Sequence, residues 1–205
     1  MRVAVLLVAL GAIAAAFGDQ ETLSPQASSS PAAASPAGVR RSEHREPRRE
    51  RDAALGEAGG AVPDGTTVFD EQVPGVAKLD PDLLAALRQA ATDAAGDGVD
   101  LVVDSGWRSP EYQARLLRDA VSKYGSQEEA ARWVATPNRS AHVSGDAVDV
   151  GPAEATSWLA ARGAAYGLCQ IYGNEPWHYE LRPDAIEHGC PATYADPSED
   201  PRMQQ

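Results

Sequence analysis

The chain is short of cysteine, of histidine and of clustered positive charge. It has two cysteines, Cys169 and Cys190, and four histidines, His44, His142, His178 and His188. Two cysteines with no further Cys/His pair at finger spacing argue against a structural zinc site. Between Thr66 and Tyr194 stand 10 basic and 19 acidic residues, a local charge of −9 in a chain whose net charge is −12. Phosphate backbones are bound by clustered lysine and arginine, so an acidic folded part argues against nucleic acid as the partner. No internal repeat is visible, and no obligate protein partner is evident. Long apolar runs are missing, save one. Val3 to Gly18 is 16 residues without charge, short of the roughly 18–20 that span a bilayer comfortably.

That run follows Met1-Arg2 and ends in Ala16-Phe17-Gly18, with small residues where a signal peptidase reads. Residues 1–18 therefore read as a cleaved signal peptide, with an uncleaved membrane anchor as the alternative. No cysteine follows to carry a lipid. The expected location is secreted or cell-envelope, with membrane contact only through an uncleaved N-terminal segment. An even cysteine count in an exported protein predicts one disulfide, Cys169 to Cys190. Residues 19–65 are rich in Ser, Pro, Ala, Gly and Arg and poor in large apolar side chains. They cannot bury enough surface to offset their ordering entropy and read as a disordered linker. Within it, Arg40 to Asp52 holds six arginines and four acids, a mixed stretch better suited to solvent than to binding. Residues 66–194 read as the folded domain and 195–205 as a loose polar tail.

Inside the domain, Asp80-Pro81 opens a helix with Leu83, Leu84, Leu87, Ala90, Ala91 and Ala94 at helical spacing, stopped by Gly96. Asp100 to Asp104 reads as a buried strand, and Ser105-Gly106-Trp107-Arg108 turns off it. Ser109-Pro110 opens a second helix. Ser126 with Glu129 forms a capping box for a third, through Trp133 and Val134. A loop follows, Thr136 to Ser144, then a strand, Ala147 to Val150. Pro152 to Arg162 reads as a helix ended by Gly163. Tyr166 to Tyr172 and His178 to Leu181 read as strands joined at Gly173-Asn174, and Asp184 to His188 as one helical turn. Helices and strands mix without βαβ alternation, which predicts an α+β domain with a small, mainly antiparallel sheet and flanking helices.

The chemistry gathers in two places. S-A-H-V-S-G-D-A-V-D-V, Ser140 to Val150, puts His142 in a loop and Asp149 between two valines. A carboxylate so flanked needs a partner, and a metal ion is a good one. Gly145 allows the turn between them. N-E-P-W-H-Y-E, Asn174 to Glu180, adds His178 and Glu175. Two imidazoles and a carboxylate are the ligand set of many catalytic zinc sites. Pro176 disfavours a helix here and biases Glu175 toward an extended conformation, so Glu175 must sit on the turn while His178 enters from the strand. A carboxylate so placed suits a general base. Trp177, between them, is expected to pack into the core and fix the turn. Glu180 and Arg182 read as a surface pair, and His44 and His188 as ordinary exposed histidines. A two-histidine, one-carboxylate iron site is the rival. Its carboxylate usually follows the first histidine by two residues, whereas here the separation is seven.

S-G-W-R-S, then S-x-H-x-x-G-x-A-x-D, then E-P-W-H, in that order, resemble the VanY-type D-alanyl-D-alanine carboxypeptidases. These belong to a superfamily that includes dipeptidases, peptidoglycan endopeptidases and the hedgehog signalling domain. The resemblance covers roughly Val68 to Arg182. It implies a zinc metallopeptidase of hedgehog/DD-peptidase-like fold, with one Zn2+ per chain in a cleft on the sheet. The implied ligands are His142, Asp149 and His178, and the implied base is Glu175. Arg108 matches the arginine that stabilises the oxyanion or holds substrate, and Gln113 and Ser140 match positions lining the substrate cleft. The implied reaction is hydrolysis of the terminal D-Ala-D-Ala bond of peptidoglycan stem peptides. The alternatives are a dipeptidase or endopeptidase of the same family, or a cell-wall binding or signalling domain without turnover. T-P-N-R-S-A-H departs from the family's usual lead-in to the metal histidine, which bears on substrate preference.

Overall fold

A computed structural model describes residues 56–204. The signal-peptide reading and most of the linker reading lie outside the described residues. Within them, helices begin where the sequence marks a cap. After a one-turn helix, α1 (Pro74–Ala77), comes the long helix α2 (Pro81–Gly96). Asp80 accepts from the backbone N–H groups of Asp82 and Leu83 at 2.9 and 3.1 Å, satisfying two donors that the helix leaves open. Ser109 caps α3 (Pro110–Tyr124) by accepting from Tyr112, and Ser126 caps α4 (Gln127–Ala131) through Glu129. Then come α5 (Ala141–Ser144), α6 (Ala153–Arg162) and α7 (Ala185–His188). No helix among the described residues is long and apolar enough to cross a membrane.

The strands are β1 (Val102–Ser105), β2 (Ala147–Gly151), β3 (Leu168–Gln170) and β4 (His178–Leu181), in the order β1-β2-β4-β3. Every neighbouring pair is antiparallel, as expected of this α+β class. Period-two alternation divides the sheet's residues between its faces. Val148, Val150, Leu168 and Tyr179 join the main core with Leu83, Leu87, Ala90 and Ala94 of α2 and Leu159 of α6. Each fully buried leucine contributes about 1.5–3 kcal/mol. That core holds the register, since a one-residue slip would turn Val148 and Tyr179 outward. Asp149, His178 and Glu180 then face the other way, away from α2.

Several expectations need correcting. His142 lies on the single turn of α5, not in a loop. The helix after Ser126 stops at Ala131, and Trp133 stacks on Tyr124 instead, with ring centroids 5.7 Å apart. The strand expected from Tyr166 begins only at Leu168, because Gly167 takes a left-handed turn at φ +71°. The folded part also starts before Thr66. Residues 57–59 form a 3-10 turn, and the Ser109 N–H donates to the Gly59 carbonyl at 2.8 Å. The stretch after Ala195 is polar but not loose. It makes two 3-10 turns, Pro197–Glu199 and Pro201–Met203, and buries Asp196 and Asp200. Buried carboxylates need cations, and Arg132 and Arg202 supply them at 2.9 and 2.5 Å. Cys169 and Cys190 form a disulfide that ties β3 to the segment after α7.

Candidate active site

Pairing register places three polar side chains in a row. Ser105 of β1 is opposite Asp149 of β2, and Asp149 is opposite His178 of β4. Asp149 Oδ1 lies 3.2 Å from His178 Nδ1 and 3.4 Å from His142 Nε2. One ligand atom from each of His142, Asp149 and His178 lies within 4.8 Å of the others. A tetrahedral metal with bonds of about 2.0–2.1 Å sets its ligand atoms about 3.3 Å apart. The two separations to Asp149 fit such an ion, and the group could hold a divalent metal.

The S-G-W-R turn organises this group from one side. His142 Nδ1–H donates to the Gly106 carbonyl at 2.8 Å, which leaves Nε2 to face Asp149. The Arg108 N–H donates to the His142 carbonyl at 3.0 Å, closing the contact from the backbone. Gly106 is required here, because a Cβ would collide with the Gly75 carbonyl. Arg108 Nη2 donates to Asp149 Oδ2 at 2.7 Å, Nε to Ser105 Oγ at 2.8 Å, and Nη1 to Gln113 Oε1 at 3.2 Å. Gln113 is buried and passes the chain on, donating to the Ala135 carbonyl at 2.9 Å. Asp149 thus has one oxygen toward the imidazoles and the other held by Arg108.

The E-P-W-H stretch is itself the turn. The His178 N–H donates to the Glu175 carbonyl at 3.1 Å, closing four residues with Pro176 second, where its fixed φ belongs. This brings Glu175 Oε2 to 3.8 Å from His178 Nδ1, two side chains that a straight strand would send to opposite faces. Trp177 is not in the core. It is 39% exposed and lines the cleft, and it fixes the turn through its backbone, whose carbonyl accepts from Val150 at 3.0 Å. The cleft holds about 390 Å³ and takes in Arg108, Gln113, Ser140, Glu175 and the three clustered residues.

Charge is distributed unevenly among these groups. Burial and the Arg108 guanidinium lower the His142 imidazole, against the pull of Asp149. Burial opposes charge on Asp149, but His142, His178 and Arg108 outweigh it and hold the carboxyl well below the usual range. Burial alone would lower His178 too. Its bonds to Asp149 and Glu180 prevail and push it up to about 9, so this ring must lose a proton before it takes a metal. Glu175 is pushed up to about 7 by burial, against the pull of His178.

Glu180, beside this cluster, departs from the surface position expected of it. It is 1% exposed, and its Oε1 lies 3.3 Å from His178 Nε2. Its spacing carried the signal, since residues two apart on a strand share a face. Arg182 Nη2 does pair with it, at 2.7 Å. His188 is exposed, as expected. His44 lies outside the described residues.

The VanY family, described as D-alanyl-D-alanine carboxypeptidase, matches residues 76–184. A D-alanyl-D-alanine carboxypeptidase of Enterococcus faecalis is 29% identical over 134 residues, which cover 53% of this chain and 50% of that protein. The chain therefore spans about half the length of this curated relative. Among solved structures, a mutant of the vancomycin-resistance D,D-pentapeptidase VanY in complex with Zn(II) is 28% identical. It has a TM-score of 0.50 over 54% of this chain and 75% of that one. VanYB in complex with D-alanine-D-alanine is also 28% identical, with a TM-score of 0.50 over 54% of this chain and 74% of that one. The chain belongs to the VanY D-alanyl-D-alanine carboxypeptidase family.

Proposed function

We propose that this chain is an exported zinc D,D-carboxypeptidase that hydrolyses the terminal D-Ala-D-Ala bond of peptidoglycan stem peptides. One observation carries the reading. Two imidazoles and a carboxylate meet in a cleft, with a further carboxylate, Glu175, 3.8 Å from the nearer ring. Relatives described as holding Zn(II) and D-alanine-D-alanine support the choice of metal and substrate.

His142, Asp149 and His178 would hold one zinc ion per chain. When bound, zinc supplies Lewis acidity, lowering the pKa of water toward 7 and polarising a carbonyl. Glu175 takes the proton from the attacking water and returns it to the leaving amine of D-alanine. Arg108 keeps Asp149 oriented, and the N–H groups it does not spend on Asp149, Ser105 and Gln113 hold the oxyanion or the substrate. Gln113 and Ser140 shape the wall beside it. The disulfide supports an oxidising, extracytoplasmic location.

The test is a digest. Zinc-loaded full chain is incubated separately with a stem pentapeptide, with free D-Ala-D-Ala and with cross-linked wall, and products are weighed by mass spectrometry. Release of one D-alanine from the pentapeptide is the expected result. Turnover only of the dipeptide or of cross-links would make it a dipeptidase or an endopeptidase of the same family. No product from any of the three would overturn the enzymatic reading in favour of a binding domain.

A further inference from the structure

We propose that Glu180, clamped by Arg202 of the C-terminal segment, is the positioning residue that sets the ring of His178 for metal binding. The inference rests on the metal-site reading above. It concerns residues to which neither the motifs nor that reading gives a role, and Arg202 lies beyond the stretch, 76–184, that matches the family.

His178 turns Nδ1 toward Asp149 and Nε2 toward Glu180. An imidazole that binds a metal through one nitrogen carries its proton on the other, and that N–H needs an acceptor. His142 has a backbone carbonyl for this purpose, Gly106 O at 2.8 Å. For His178 the acceptor is Glu180 Oε1 at 3.3 Å. A backbone carbonyl stays where the fold puts it, whereas a carboxylate on a flexible side chain must be held. Arg202 spans both its oxygens, with Nη1 2.7 Å from Oε2 and Nη2 3.1 Å from Oε1. This two-point grip fixes the plane of the carboxylate as well as its charge.

Arg202 is held in turn by Asp200, which is fully buried and accepts from the Tyr172 hydroxyl at 2.9 Å. Tyr172 packs on the His178 ring, centroids 5.1 Å apart, so the chain of contacts returns to the ligand it began from. The same segment sends Pro197 and Met203 into the cleft wall. The last residues of the chain thus support the candidate metal site and shape the substrate cleft together.

The test uses the full chain. Zinc affinity is measured by chelator competition for the parent, Glu180→Gln, Arg202→Ala and Arg202→Lys. The visible spectrum of each cobalt(II)-substituted protein reports ligand geometry, and melting of the metal-free proteins reports folding. Glu180→Gln is expected to weaken zinc by about 10–100-fold and to shift the cobalt bands. Arg202→Ala should weaken zinc in the same direction, and Arg202→Lys should recover part of the loss, because it restores charge without the fork. If Glu180→Gln does not fold, Glu180→Gln with Arg202→Met removes one of the two facing cations as well, leaving Arg182, and takes its place. Parent-like zinc affinity and cobalt spectra in the Glu180 and Arg202 variants overturn the proposal and leave the metal site standing. A parent that binds no zinc overturns both.

Discussion

At the scale of single residues, the proposed base and the proposed ligand can be separated by substitution although they stand three positions apart. Glu175→Gln keeps size and shape but cannot take up a proton. It is expected to retain a full equivalent of zinc and to lose turnover by about 10²–10⁴-fold. His178→Ala leaves two of the three clustered side chains, His142 and Asp149, and is expected to lose the metal as well. Elemental analysis and the rate of D-alanine release from a pentapeptide, measured on both variants, check this. Near-parent turnover in Glu175→Gln would end the assignment of the base, and a full zinc equivalent in His178→Ala would place the metal elsewhere.

At the scale of elements, the S-G-W-R turn orients the imidazole of His142, which α5 carries, and the E-P-W-H turn delivers that of His178. The first depends on a glycine with no room for a side chain. Gly106→Ala drives a Cβ into the Gly75 carbonyl and must displace the carbonyl that orients His142. It is expected to destabilise the fold by about 1–3 kcal/mol and to weaken metal binding with it. Gly96→Ala, at the end of α2 with open space around it, is the control. It should be neutral or gain less than about 1 kcal/mol. Urea midpoints for the two variants check the contrast, and equal midpoints would remove the steric account of Gly106.

At the scale of the molecule, the disulfide closes β3 and the segment after α7 into one loop, with a sequence separation of 21. In the loop-entropy picture a bridge of this span contributes about 3 kcal/mol. Oxidised protein, denatured without reductant, should show no titratable thiol. Cys169→Ala with Cys190→Ala should lower the denaturation midpoint by a corresponding amount. A midpoint unchanged from the oxidised parent would mean that packing around Ile171, Tyr172 and Ala185 holds this region without the bridge.

Much of this was legible in the residues alone. Caps at Asp80, Ser109 and Ser126 set helix starts, because an open N–H is satisfied locally by the nearest side-chain oxygen. Alternation around Asp149 and His178 marked strands, and their chemistry marked a candidate metal site. Pro176 put Glu175 on a turn, because a fixed φ is a property of one residue. What local pattern could not supply was the set of neighbours brought from far along the chain. Trp177 looks like a core residue by type, yet its place on the turn leaves it facing the cleft. Glu180 looks like a surface acid, since burial of a charge depends on whether cations arrive. One of them, Arg202, comes from 22 residues away. The tail looks loose for the same reason: Asp200 and Arg202 are polar in sequence but satisfied only once Tyr172 and Glu180 are in place. The sequence by itself determined the capped helix starts and the reactive side chains, because caps and fixed dihedrals act over a few residues. Only the tertiary structure decided which charges are buried, because the cost of burying a charge is set by partners that the fold brings together.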